Sequence, residues 1–208
     1  LIRGYLTMAA ERSITPEELV QTVPTLLARV DLMTTMLAQM LETARLEDER
    51  MELKPTLFDM RQAVRAVADA MAPLAGSDHP IAVRLPEQEV PVVADRVRVE
   101  TIVSNLIDNA IKYSPGGGAI DCSVESVGGN ALVEVKDQGI GIPQEDMGRL
   151  FTRFGRIGNP HTAAIPGTGL GLYLARELAR LHHGELTATS GPGKGSTFVF
   201  RIPLAPAS

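Results

Sequence analysis

Apolar residues recur in steps of four and three from Leu19 through Val23, Leu26, Val30, Met33, Leu37 and Met40 to Ala44. Such a seam predicts one long helix over 17–48 that winds around a partner. Thr15-Pro16-Glu17-Glu18 supplies its start: Thr as the cap, Pro at the first helical position and Glu three residues after the cap. Pro24 has no N–H to donate and predicts a kink in the first turns. Residues 1–12, with Ile2, Tyr5 and Ala9 on one face, read as a shorter helix. Together they predict a partial helical hairpin, short on its N-terminal side by about 15 residues if the two arms match. The open seam then points to dimerisation. The other reading is an amphipathic helix lying on its own domain.

From residue 53 the period changes to mixed strands and helices. Leu53–Phe58 reads as a strand and Asp59–Ala72 as a helix capped by Asp59. Ile81–Leu85 and Val90–Ala94 are short strands, and Asp95 caps a helix running to Tyr113. Ala119–Ser126 and Ala131–Asp137 form a hairpin about Gly128-Gly129-Asn130. Residues 138–167 form a long Gly- and Pro-rich loop, and Thr168–His182 a helix. Glu185–Ser190 and Ser196–Ile202 close as a strand pair, with 204–208 fraying beyond it. The pattern divides the chain into a hairpin segment, 1–52, and an α+β domain, 53–208.

Composition narrows the class. Of 208 residues, 44% are hydrophobic, enough for a real core. The net charge of −5 comes without a basic block, which argues against nucleic acid as a partner. Cys122 is the single cysteine, so no internal disulfide forms, and a buried strand thiol is its plain reading. No apolar run approaches the roughly 20 residues of a membrane span, which predicts no membrane contact by this segment.

The chemistry lies in three glycine- and amide-bearing motifs. Asn105, Asn109 and Lys112 share one helix face, with Ile102, Val103, Leu106, Ala110 and Ile111 opposite as core. Amide oxygens suit a magnesium ion that takes most of its neutralisation from phosphates, and a lysine one turn on suits the phosphates. Alone, such a pattern is far more often a solvated polar face. Asp137 ends a strand at a turn bearing Gly139 and Gly141, where a carboxylate can accept from an exocyclic amine; a plain turn is the bland alternative. Gly167, Gly169 and Gly171 open a helix whose unshielded amides can bind phosphate oxygens. The spacing fits neither a Walker loop nor a dinucleotide fingerprint. Between them, Phe151 and Phe154 can pin a loop to the domain while Arg153 or Arg156 reaches a phosphate, although for either arginine alone a surface role is the plainer reading.

Taken together, Asn105–Ser114, Asp137–Pro143, Leu150–Arg156 and Gly167–Leu172 resemble the N, G1, F and G2 boxes of sensor histidine kinases. Gly193-Lys194-Gly195-Ser196-Thr197-Phe198 resembles their closing glycine motif. The resemblance implies a Bergerat-type α/β sandwich with a mobile ATP lid over 143–167, preceded by a hairpin that dimerises as a four-helix bundle. It implies ATP and Mg2+ as cofactors, with Asn109 on the metal and Asn105 supporting it. Asn105, Lys112 and Arg156 would carry catalysis. The implied ATP-binding set adds Tyr113, Asp137, Gly139, Gly141, Ile142, Arg153, Gly167, Thr168, Gly169, Leu170, Gly171 and Thr197. Implied partners are a second copy through the hairpin and the receiver domain of a response regulator. The implied location is the cytoplasm, as a free enzyme or as the inner part of a membrane-bound sensor.

The front stretches 1–6 and 41–48 resemble the hairpin that flanks the phosphoacceptor. None of the four histidines, at 79, 161, 182 and 183, matches the acceptor position, which the family places about two turns before Leu1. His182 matches a position that is structural in the family. Two alternatives stay open: an ATP-hydrolysing relative on the same fold, and a nucleotide-binding dimer module without kinase activity. The first places a glutamate base where Asn105 stands, and an amide cannot take a proton from water.

Overall fold

Thr15 and Glu18 form the reciprocal cap that opens helix α1, Pro16–Glu47. The Glu18 N–H donates to Thr15 Oγ1 at 3.2 Å, and the Thr15 N–H donates to Glu18 Oε2 at 2.9 Å. These bonds from Thr15 hold the Glu18 carboxyl below its ordinary range. The computed structural model describes residues 4, 7, 10, 15–47, 51–156, 165 and 167–206. Ile2, Tyr5 and Ala9, the expected face of a first helix, lie outside the described residues; Gly4, Thr7 and Ala10 are helical. α1 runs unbroken through Pro24. Val23, Val30, Met33, Leu37 and Met40 of its seam are all exposed.

Two compact units result, Leu1–Glu47 and Asp48–Ser208. The second is a two-layer α+β domain. Its five-stranded mixed sheet is ordered β2-β4-β5-β7-β6: β2 Ile81–Arg84, β4 Ile120–Val127, β5 Asn130–Lys136, β7 Ser196–Pro203 and β6 Glu185–Ser190. β2 and β4 are parallel, and the remaining neighbours are antiparallel. β1, Thr56–Asp59, and β3, Pro91–Ala94, form a separate antiparallel pair. Helices α2 Met60–Ala75, α3 Arg96–Lys112 and α4 Gly171–Leu181 pack against the larger sheet.

Alternation decides which sheet face they cover. Ile120, Cys122 and Val124 of β4, Val133 and Val135 of β5, and Phe198 and Phe200 of β7 are buried, while Glu125, Lys136 and Arg201 are exposed. The layer above consists of Val64, Ile102, Leu106, Ile107, Leu174 and Leu178. Each such side chain contributes about 1.5–3 kcal/mol relative to exposure. Burial pushes the Cys122 thiol up to about 12, leaving it inert at neutral pH.

Several sequence expectations shift. β1 begins at Thr56 rather than Leu53, since Pro55 has no N–H for a ladder. α2 continues through Pro73 to Ala75. Ile107, not Ile111, completes the buried face of α3, while Ile111 is only half-buried. The expected frayed tail is held at its start: Leu204 N–H donates to Gly129 O at 3.0 Å and Ala205 N–H to Pro91 O at 2.8 Å.

Both aspartate caps form. Asp59 accepts from the Arg61 N–H at 3.0 Å and Asp95 from the Arg98 N–H at 3.3 Å. Asp95 also ties the α3 start to distant chain. Its Oδ2 accepts from Lys54 N–H at 2.9 Å, and its own N–H donates to His182 Nε2 at 3.1 Å. His182 Nδ1 lies 2.7 Å from Leu178 O, so the ring fits these partners as the neutral Nδ1–H tautomer. Burial alone would raise the Asp95 carboxyl; the Lys54 and Arg98 amides outweigh it and hold it below the usual range.

Candidate nucleotide site

The polar face of α3 is preset by its own backbone. Asn105 Nδ2 donates to Thr101 O and Asn109 Nδ2 to Asn105 O, both at 2.8 Å. With each NH2 group committed one turn back, the amide oxygens are the ends left for a ligand. Lys112 Nζ pairs with Asp108 Oδ2 at 2.5 Å, both side chains partly exposed. Such a pair is weak in water and leaves the lysine free to exchange partners. Tyr113, half-buried, ends the helix with its N–H on Asn109 O at 2.9 Å.

Asp137 follows β5 and is 3% exposed. Its Oδ1 accepts from Gly139 N–H at 2.8 Å and Ser196 N–H at 3.1 Å. Burial pushes its carboxyl above the ordinary range, while those two amides pull the other way. Both bonds fall on Oδ1, leaving Oδ2 as the acceptor for an incoming amine. Thr197, half-buried on β7, stands opposite Lys136 in register, one residue from Asp137.

The glycines of this turn are close-approach positions. A Cβ at Gly139 would lie 2.1 Å from Tyr113 O, and one at Gly141 would lie 1.9 Å from Gly191 O. A Cβ at Gly195 would lie 2.1 Å from Asp137 O. Bare backbone therefore brings three segments together: the α3 terminus, the 137–142 turn and the β6–β7 loop. Ile140 N–H donates to Tyr113 O at 3.0 Å, and Gly193 N–H to Ile140 O at 2.8 Å.

Ser190, which the sequence reading passed over, is the knot of this joint. Its Oγ accepts from Ile142 N–H at 2.8 Å and donates to Gly195 O at 2.7 Å. Ser196 Oγ lies 3.1 Å away, and with the Ser190 proton already committed, Ser196 is the donor. No periodic or motif signal marks such a serine; only the glycine-rich 191–195 stretch beside it does.

The lid side is built differently. After a short 3-10 turn, Gln144–Arg149, Leu150 is buried and Phe151 half-buried, with the Arg176 guanidinium 5.1 Å from the Phe151 ring. Phe154 does not pin the loop as expected. It is 51% exposed, has φ +57°, and its ring lies 5.1 Å from the Arg153 guanidinium. Arg156 Nη2 donates to Ile165 O at 2.7 Å. A Cβ at Gly169, φ +70°, would come within 2.7 Å of Phe154 C, so this glycine seats the second motif on the first.

α4 starts at Gly171, not at Thr168. The Thr168 hydroxyl accepts from Leu170 N–H at 3.0 Å, forming a turn that precedes the helix. Buried Leu170 holds the cap position and offers no side-chain bond. Whereas aspartates cap α2 and α3, the first amides of α4 have no side-chain cap, which suits them to phosphate oxygens. Gly167 and Gly171 flank this start, both half-buried.

Residues 94–206, more than half of the chain, match the family described as histidine kinase-, DNA gyrase B- and HSP90-like ATPase. The chain belongs to this family. Within these ATPases it is similar to the sensor histidine kinase WalK of Bacillus subtilis (strain 168), 40% identical over 121 residues, 57% of this chain and 20% of WalK. The histidine protein kinase DivJ of Caulobacter vibrioides is 38% identical over 168 residues, 79% of this chain and 28% of DivJ. Among solved structures, full-length ShkA in complex with AMPPNP superposes with a TM-score of 0.79 at 26% identity, covering 94% of this chain and 40% of ShkA. The chain is thus a catalytic core of the kind found in sensor histidine kinases, and it spans less than a third of either curated relative's length. None of its described helices is long and apolar enough to cross a membrane.

Proposed function

We propose that this chain binds Mg-ATP and transfers the γ-phosphoryl group to a histidine on a dimerisation hairpin, for passage to a response-regulator aspartate. The observation that carries the reading is Asn105. Its amide is tied to Thr101 O and can coordinate or orient, but it cannot accept a proton from an attacking water. An imidazole nitrogen is already nucleophilic and needs no such base. It attacks the γ-phosphorus, an N–P bond forms as the bond to the β-phosphate oxygen breaks, ADP leaves, and the ring proton goes to solvent.

Asp137 Oδ2 receives the adenine amine, and Gly139 and Gly141 lie under the base. The uncapped start of α4 and Lys112, released from Asp108, receive phosphate oxygens. Arg153 and Arg156 come from the lid, where Arg156 exchanges Ile165 O for the γ-phosphate. Asn109 and Asn105 fit a magnesium ion because their preset amide oxygens are hard, neutral donors. The described residues hold no group of three or more acidic, histidine or cysteine side chains that could form a self-contained metal cage. Bound there, magnesium supplies charge neutralisation for the transferring phosphoryl group. The exposed α1 seam supports a homodimer, and the ATP requirement supports a cytoplasmic location.

His79 and His182 are held by backbone groups, so neither reads as the acceptor. The test mixes this chain and Mg-ATP with a hairpin polypeptide that carries a histidine and an Asn109→Ala catalytic domain. Acid-labile phosphate on the second polypeptide is the expected result. If ATP binding and subunit exchange are verified and no phosphate arrives, transfer between subunits is ruled out in favour of a within-subunit or binding-only role.

A further inference from the structure

Among the described residues, one buried side-chain polar atom has no hydrogen-bond partner, the Ser114 hydroxyl oxygen. The residue is 1% exposed. Leaving a buried hydroxyl unpaired is unfavourable, and such groups ask for a functional account.

Its backbone cannot swing it elsewhere. Ser114 N–H donates to Ile111 O at 3.4 Å, and its carbonyl accepts from Gly117 N–H at 2.9 Å. The same carbonyl lies 2.8 Å from His79 Nε2, whose Nδ1 in turn lies 3.3 Å from Ala75 O. The hydroxyl is therefore presented from a fixed point. A Cβ at Gly139 would come within 2.8 Å of it, so it lies against the turn that carries Asp137. Two donors of that turn are already used: Gly139 N–H on Asp137 Oδ1 and Ile140 N–H on Tyr113 O.

We propose that Ser114 is a specificity-determining residue of the nucleotide site, its hydroxyl completed by the purine end of the bound nucleotide, directly or through one water. This rests on the ATP-site reading above. The hydroxyl carries an unfavourable contribution in the free protein, and the correct base relieves it. The contrasting idea, an idle hydroxyl in a packed corner, predicts no effect on ligand.

The experiment uses the full chain and its Ser114→Ala variant. It measures the thermal midpoint without nucleotide, the Kd for AMPPNP, and the Kd for inorganic tripolyphosphate, which has no base. In the variant, the expected result is an unchanged or raised midpoint, AMPPNP binding weakened about 3- to 10-fold, and unchanged tripolyphosphate binding. Unaltered AMPPNP affinity overturns the proposal. So does a lowered midpoint with both ligands weakened alike, which marks a general structural role. A wild-type chain that binds no AMPPNP overturns the nucleotide-site reading itself, a failure distinct from the other two.

Discussion

The two ends of the proposed nucleotide site are held by different means. At the base end, the 137–142 turn is clamped by backbone: three glycines touch carbonyls of other segments, and Ser190 ties its last amide. At the phosphate end, the 150–156 stretch meets one such glycine, Gly169 against Phe154, and is otherwise held by Leu150, the Arg176–Phe151 contact and the Arg156 bond to Ile165 O. Cation–ring contacts are worth about 0.5–1 kcal/mol at exposed sites, far less than the clash a misplaced Cβ would cause. The base end is therefore the more tightly preorganised, while Arg156, joined to Ile165 O by an exposed hydrogen bond, can change partners at little expense. Recognition calls for a rigid template, whereas transfer calls for an arginine that can change partners.

The largest expected effect breaks the rigid end. Gly141→Ala forces a Cβ to 1.9 Å from Gly191 O at a φ of +68°. It should destabilise the domain by about 3 kcal/mol and abolish nucleotide binding, read by chemical denaturation and calorimetry. Next comes Asp137→Asn. The Asn Oδ1 still accepts from Gly139 and Ser196, but its NH2 then meets the adenine amine donor to donor. Affinity for ATP should fall about 10- to 100-fold while stability at neutral pH rises.

That rise follows from the raised Asp137 carboxyl. A folded-state pKa above the unfolded value contributes stability at low pH that is lost as pH rises through it, so the ionised group is a burden at pH 7. Binding has the opposite sign, because the amine needs the carboxylate. ATP affinity at Asp137 should fall as pH drops through a value above the ordinary aspartate range, and the Asn variant should lack that step.

Ser190→Ala should lose about 1–2 kcal/mol of stability and weaken ATP less than either change above, with Ser190→Thr restoring both. The smallest effect lies at the other end. Phe154→Gly relieves a left-handed backbone while giving up a half-exposed ring, so stability should stay within about 1 kcal/mol of wild type. If it falls by much more, the phosphate end is not the loosely held one.

Much of this was readable from residue order, for local reasons. Helix caps are short-range, so Thr15–Glu18, Asp59 and Asp95 could be placed before any fold was known. The shared face of the α3 amides followed from helical spacing, and their expected role from the resemblance. What escaped depends on contacts distant in sequence. Ser190 meets Ile142 across 48 positions, and Ser114 is defined by what surrounds it rather than by its neighbours in sequence. The strand order, with parallel β2 and β4 beside antiparallel pairs, likewise has no local signature. Phe154 misled because an aromatic residue three positions after Phe151 reads as a second anchor, while at its positive φ the residue is exposed.

The joint at Ser190 also has a bearing on synthesis. The turn carrying Asp137 is assembled from chain that leaves the ribosome early, but the Gly191–Ser196 loop that clamps it emerges only after α4 and β6. A nascent chain holding every residue through Leu181 would display the Asp137 carboxylate without the Ser196 N–H and the Ser190 hydroxyl that set its turn in place. On the proposed reading, nucleotide capture therefore requires a polypeptide extended past Ser196.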